Sequence, residues 1–125
     1  MYASPKNAQS FQAQTQVTKA NVVATAASLL SISASNVGNT PLYLQIFDKA
    51  SAPNGSDAWK YCFALPAGSA TLPGVAEAGV DFFGALGIKF FNGISWAIST
   101  TYSSFTDAAT NTNLIVNGHY WTGTP

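Results

Sequence analysis

The chain has 125 residues, with five lysines against five acidic side chains, no arginine, and a formal net charge of zero. That length suits one domain around one core, and a neutral surface without arginine argues against the clustered cations that a nucleic-acid or anionic-membrane interface needs. A charged fraction of 8% beside 47% apolar residues leaves Ser, Thr, Asn and Gln to build the surface, which then has weak protection against self-association.

Residues 1 to 12, MYASPKNAQSFQ, carry few apolar side chains and a proline, so no local signal folds them. They read either as a disordered terminus or as an arm that orders only against a neighbouring subunit, with Tyr2, Pro5, Lys6 and Phe11 as candidate partner-binding residues. The first residues also lack an apolar leader segment, so synthesis in a cytosol is expected. From Thr15 to Thr25 the β-branched run TQVTKANVVAT predicts a first strand in one or two pieces. The chain thus divides into an extended arm with the start of the first strand, 1–20, and a folded domain, 21–125.

Leu30, Ile32 and Ala34 alternate with Ser31, Ser33 and Ser35, the pattern of a half-buried strand, and Asn36 to Thr40 supplies a turn. Pro41 opens PLYLQIFD, a strand with Leu42, Leu44 and Ile46 on one face and Tyr43, Gln45 and Phe47 on the other. A loop marked by Pro53 and Asn54-Gly55 leads to a strand from Trp59 to Leu65, then a turn and a short extended segment to Gly74. Gly79 to Phe83 reads as the start of another strand, with Gly84 and Gly87 permitting a bend.

The sharpest pattern is GIKFFNGISWAISTT, Gly87 to Thr101. A two-residue Asn92-Gly93 turn would split its apolar side chains between two faces. A three-residue loop of Phe91, Asn92 and Gly93, with Gly93 left-handed in a bulge, pairs Phe90 with Ile94 and Ile88 with Trp96. That register gathers Ile88, Phe90, Ile94, Trp96 and Ile98 on one face, sends Lys89, Ser95, Ala97 and Ser99 outward, and leaves Phe91 at the tip. A polar loop from Tyr102 to Asn113 precedes a last strand, Leu114 to Thr122, in which Gly118 marks a bulge. Turn signals recur about every ten residues and no segment has helical periodicity. The expected class is all-β, a single-domain antiparallel β-sandwich of about eight strands, jelly-roll or Greek-key in type.

No residue pattern carries a chemistry. His119 is the single histidine, no GxSxG motif accompanies it, and Cys62, the single cysteine, lies in a strand without an active-site signature and excludes an internal disulfide or cysteine zinc site. Asp48, Asn54 and Asp57 lack the alternation of a calcium loop and suit turn formation instead. Glu77 and Asp81 read as surface carboxylates. No catalytic, cofactor or metal residue is assigned. Among the aromatics, Trp59, Phe91 and Trp121 are the candidate exposed contacts, and a sugar-stacking role falls to Trp59 or Trp121 because alternation turns Trp96 inward.

The blocks LLSISASNVG, PLYLQIFD, FALPAGS and FFNGISWAISTT resemble those of a family of short tailed-bacteriophage proteins, over roughly residues 28 to 105. The resemblance implies a β-sandwich module of a virion, without enzymatic activity or cofactor, and assigns no functional residue. With the low-charge surface and the arm, it leads to the expectation of a capsid decoration (cement) protein. Such a protein would form a homotrimer and bind the major capsid protein or another virion protein on the capsid surface, with no nucleic acid or membrane as partner. A carbohydrate-binding module of a head or tail fibre that attaches to the host, or a tail or baseplate adaptor, is the alternative.

Overall fold

A computed structural model of the chain describes residues 8–14, 17–108 and 114–122. In chain order the elements are β1 (Gln9–Gln14), β2 (Lys19–Val23), β3 (Ala27–Asn36), β4 (Leu42–Asp48) and β5 (Tyr61–Leu65). They continue with β6 (Gly74–Ala78), the short helix α1 (Val80–Phe83), β7 (Ile88–Phe90), β8 (Ile94–Ser99) and β9 (Leu114–Trp121). The strands form two antiparallel sheets. The first has the order β1-β9-β3-β6, with β7 also paired to β3; the second has the order β2-β8-β4-β5.

Neighbours in these sheets pair the chain back on itself: β1 with β9, β2 with β8, β3 with β6, and β4 with β5. The fold is thus one long antiparallel ribbon rolled until β9 also meets β3 and β8 meets β4, which is the jelly roll. Alternation along the strands fills the space between the sheets. Leu29, Ile32 and Ala34 of β3, Leu44 and Ile46 of β4, and Trp96 and Ile98 of β8 are all fully buried in one core. Each large apolar side chain withdrawn from water in this way contributes roughly 1.5–3 kcal/mol.

The Gly87–Thr101 segment differs from the predicted hairpin. All five apolar residues do face one core, but β7 and β8 are not hydrogen-bonded to each other. Ile88 and Phe90 pair with Leu29 and Ala27 of β3, whereas Trp96 pairs with Ala20 of β2 and Ile46 of β4 in the opposite sheet. Phe91 to Gly93 therefore carries the chain across the sandwich. Asp48 accepts the Phe91 and Asn92 backbone N–H groups at 3.1 and 2.8 Å, and the Lys49 N–H donates to the Gly93 carbonyl at 3.2 Å. Gly93 has φ +153°, and a Cβ there would lie 2.5 Å from the Val23 carbonyl oxygen and 2.7 Å from that of Lys49.

Ser95, Ala97 and Ser99, expected to face solvent, are buried. They do point away from the main core, but the loops after β4 and β8 cover that outer face of the second sheet. Ser95 Oγ donates to the carbonyls of Lys49 and Ser51, and Ser99 Oγ to those of Thr101 and Ser104. Under the same cover Phe47, Ala97 and Phe105 form a second small cluster with Trp59 beside it. Gln45 lies there too, its amide N–H groups directed at the Thr101, Tyr102 and Ser104 carbonyls.

Three further differences have local causes. Gly79–Phe83 is not a strand: the Phe82 and Phe83 N–H groups donate to the Gly79 carbonyl at 3.0 and 2.8 Å, forming α1, and the strand is instead β6 just before it. Gly118 is not the bulge. The register shift lies on β3 between Leu29 and Ser31, so Leu30 is the extra residue and drops out of the buried row. Gly118 instead makes room for Phe11, whose ring would lie 2.2 Å from a Cβ at that position. Finally, β1 falls within the predicted arm, yet it pairs with β9 of its own chain along its whole length, with Phe11 opposite Gly118.

Candidate functional site

The outer face of the first sheet is the face its own loops leave open. Alternation and register put a row of polar side chains across four strands there: Gln12 of β1, Asn117 of β9, Ser33 of β3 and Glu77 of β6. At about 4.8 Å between strands the row spans roughly 14 Å. The adjoining row brings Ser31 opposite His119, and the Ser31 hydroxyl and His119 Nδ1 are 3.0 Å apart. The β6–α1 connection rises beside these rows and closes an open cleft of about 530 Å³, with Val80, Asp81 and Phe82 along its wall. Glu77 and Asp81, read from sequence as separate surface carboxylates, thus border one cleft. So does His119.

Ser31 and His119 make a cross-strand pair. Among the described residues no hydrogen bond ties the remaining ring nitrogen of His119 to a carboxylate, so the arrangement lacks the orienting third group that activates a serine nucleophile. The cleft offers hydroxyl, amide, imidazole and carboxylate groups side by side, which suits binding.

Comparison with family models, curated proteins and solved structures finds no match. The site therefore rests on its own geometry.

The candidate contact residues are scattered. Tyr2, Pro5 and Lys6 lie outside the described residues. Phe11 packs on its own sheet, its ring 6.3 Å from that of Tyr120. Phe91 is 69% exposed at the crossing, with the Lys60 ammonium 5.9 Å from its ring. Trp121 is the correction. It is only 3% exposed, because the chain near Leu86 covers the end of β9 and its indole N–H donates to the Leu86 carbonyl at 3.0 Å. Trp59 is half-buried on the outer side of the second sheet, its N–H on the Tyr102 carbonyl at 3.0 Å and its ring 5.9 Å from that of Tyr102. Among the described residues no candidate aromatic borders the cleft; Phe82, expected in a strand, does.

The Asp48–Asn54–Asp57 group does not converge on a common point. Asp48 is taken by the crossing, as above, while Asp57 pairs with Lys49 and accepts the Asn54 N–H at 2.8 Å. Asn54 Oδ1 accepts from the Ser56 N–H and hydroxyl. Among the described residues no three His, Cys, Asp or Glu side chains form a metal-binding group. The Cys62 thiol is pushed up by burial, partly offset by the Gln45 amide, and is a weaker nucleophile for it.

Burial raises the Asp48 carboxyl, but the Asn92 and Phe91 N–H groups and the Lys60 charge outweigh it and hold the group below the ordinary carboxylate value. Asp57 is lowered in the same direction, first by its Lys49 partner. A folded-state pKa below the unfolded one gives stability that is present above about pH 4 and lost as pH falls through the folded value. We therefore expect the thermal midpoint to drop in acid below that pH and Asp48→Asn to flatten the drop while lowering the midpoint at neutral pH. Melting curves from neutral to strongly acidic buffer check this; identical slopes for variant and parent would refute the role of Asp48.

Proposed function

We propose that the chain is a non-enzymatic virion structural protein, a capsid decoration protein that binds the major capsid shell as a homotrimer and stabilises it. The observation that carries this reading is an apolar margin, interrupted by Glu77 and Asp81, on a surface of low charge. Leu72, Val75, Val80 and Phe82 are 78%, 52%, 62% and 55% exposed, and all lie just before, in or just after β6 at one edge of the first sheet. Apolar side chains gathered at an edge strand favour burial against another protein surface. The blocks that resemble tailed-phage proteins fall on β3, β4, the end of β5 and the β7–β8 crossing, which are scaffold, so the resemblance and the margin are separate supports. No helix among the described residues is long and apolar enough to cross a membrane.

Because β1 is docked on β9, the proposed capsid-reaching arm narrows to the residues before it, Tyr2, Pro5 and Lys6 among them. Deleting residues 1–7 is expected to abolish capsid occupancy and leave the thermal midpoint unchanged, since β1 and its pairing with β9 are kept. Low-resolution imaging of particles carrying the labelled protein checks both points. A symmetric coat on the head supports decoration, label confined to the tail supports the adaptor reading instead, and full head occupancy by the deleted form refutes the arm.

A further inference from the structure

We propose that the cleft on the outer face of the first sheet is a binding site for a neutral saccharide. This goes beyond the decoration reading and requires neither a capsid nor a trimer. The inference rests on what the cleft presents and on what it lacks. Its floor is the Ser33–Asn117 and Ser31–His119 cross-strand pairs, its rim is Glu77 and Asp81, and its wall includes the Phe82 ring, which is 55% exposed. Among the described residues no lysine borders it.

With two carboxylates and no cation, the cleft disfavours phosphate, sulfate and acidic sugars, since each would meet like charge without a counter-charge. A ligand that satisfies the floor needs several donors and acceptors at the spacing of adjacent strands. Vicinal hydroxyls meet that need. Each hydroxyl both donates and accepts, so Glu77 and Asp81 can take hydroxyl protons in charge-assisted bonds while the Asn117 amide supplies a donor and an acceptor. The Ser31 contact occupies Nδ1 of His119 and leaves Nε2 as the ring nitrogen for a ligand. Phe82 completes the chemistry. Its inner side is fixed by edge contacts with Tyr61, Phe63 and Phe83 at 5.6, 5.3 and 5.1 Å, so the exposed part is a pre-positioned apolar surface of the kind that the C–H face of a pyranose covers. A cleft of about 530 Å³ falls in the range of small-ligand sites.

The test is an array of neutral and acidic glycans, followed by titration of the full chain with maltotriose, cellotriose, tri-N-acetylchitotriose and any array hit, read by backbone amide shifts. The expected result is millimolar or tighter binding of at least one neutral glycan, with shifts at Ser31, Ser33, Asn117 and His119. Glu77→Gln and Asn117→Ala, both on exposed side chains, are each expected to weaken binding about tenfold or more without moving the thermal midpoint, whereas Trp59→Ala is expected to leave it unchanged. The proposal is overturned by an absence of neutral-glycan binding, by preference for acidic glycans, by shifts centred on Trp59 and Tyr102, or by affinity that survives both cleft variants.

Discussion

Replacing Trp96 with alanine is expected to remove about 3–5 kcal/mol of folding stability, a large share of the roughly 5–15 kcal/mol that holds a domain folded. Trp96 is 1% exposed and is the largest of the fully buried side chains. It stands on the central strand β8, between β2 and β4, and faces the first sheet across the core. The residues around it, Leu44, Ile46, Ile94 and Ile98, are themselves held in paired strands and cannot collapse into the void. The lost transfer energy and the cavity therefore add. Urea denaturation monitored by circular dichroism measures the change, and a midpoint within error of the parent would show that Trp96 is not a core residue.

Gly93→Val is expected to have an effect of similar size through a different cause. A Cβ at Gly93 meets only backbone atoms, the Val23 and Lys49 oxygens at 2.5 and 2.7 Å and the Ala50 Cα at 3.1 Å, and backbone at the end of β2 and just past the end of β4 has little room to move. Overpacking costs about 1–3 kcal/mol, and a β-branched residue held at φ +153° adds strain of about 1–3 kcal/mol. Because the clash falls where the chain changes sheets, the Asp48 bonds to Phe91 and Asn92 are expected to weaken with it. Gly55→Ala is the control, since its Cβ would meet one atom at 3.7 Å, an ordinary contact. Comparable midpoints for the two variants would contradict the crossing.

Strand existence was legible wherever one face is buried. The two faces of β4 and the last strand β9 are present as read, and the Ser alternation of β3 holds from Ser31 onward, with Leu30 displaced by the bulge. The crossing was misread because alternation specifies which side chains are buried and says nothing of which strand supplies the hydrogen bonds. Ile88 and Phe90 can face the same core as Ile94 and Trp96 either as hairpin partners or from opposite sheets. β1 was missed for a related reason: QSFQAQ has one large apolar residue, and its partner strand is about a hundred residues away, with Tyr120 Oη bonded to Gln9 at a separation of 111. α1 was missed because VDFF has the composition of a strand and its turn is set by the Gly79 carbonyl.

The cleft was the least legible part. Ser31 and Ser33 were placed outward by their alternation, but small polar residues carry no signal that names their neighbours. Only the register brings Asn117, His119 and Glu77 beside them from strands elsewhere in the chain.

The antiparallel register of β1 on β9 sets Gln9 opposite Tyr120. The described chain thus enters and leaves the sandwich at a single corner. A pair of fluorophores placed at Ala8 and Thr122 would report a short separation for as long as β1 stays docked.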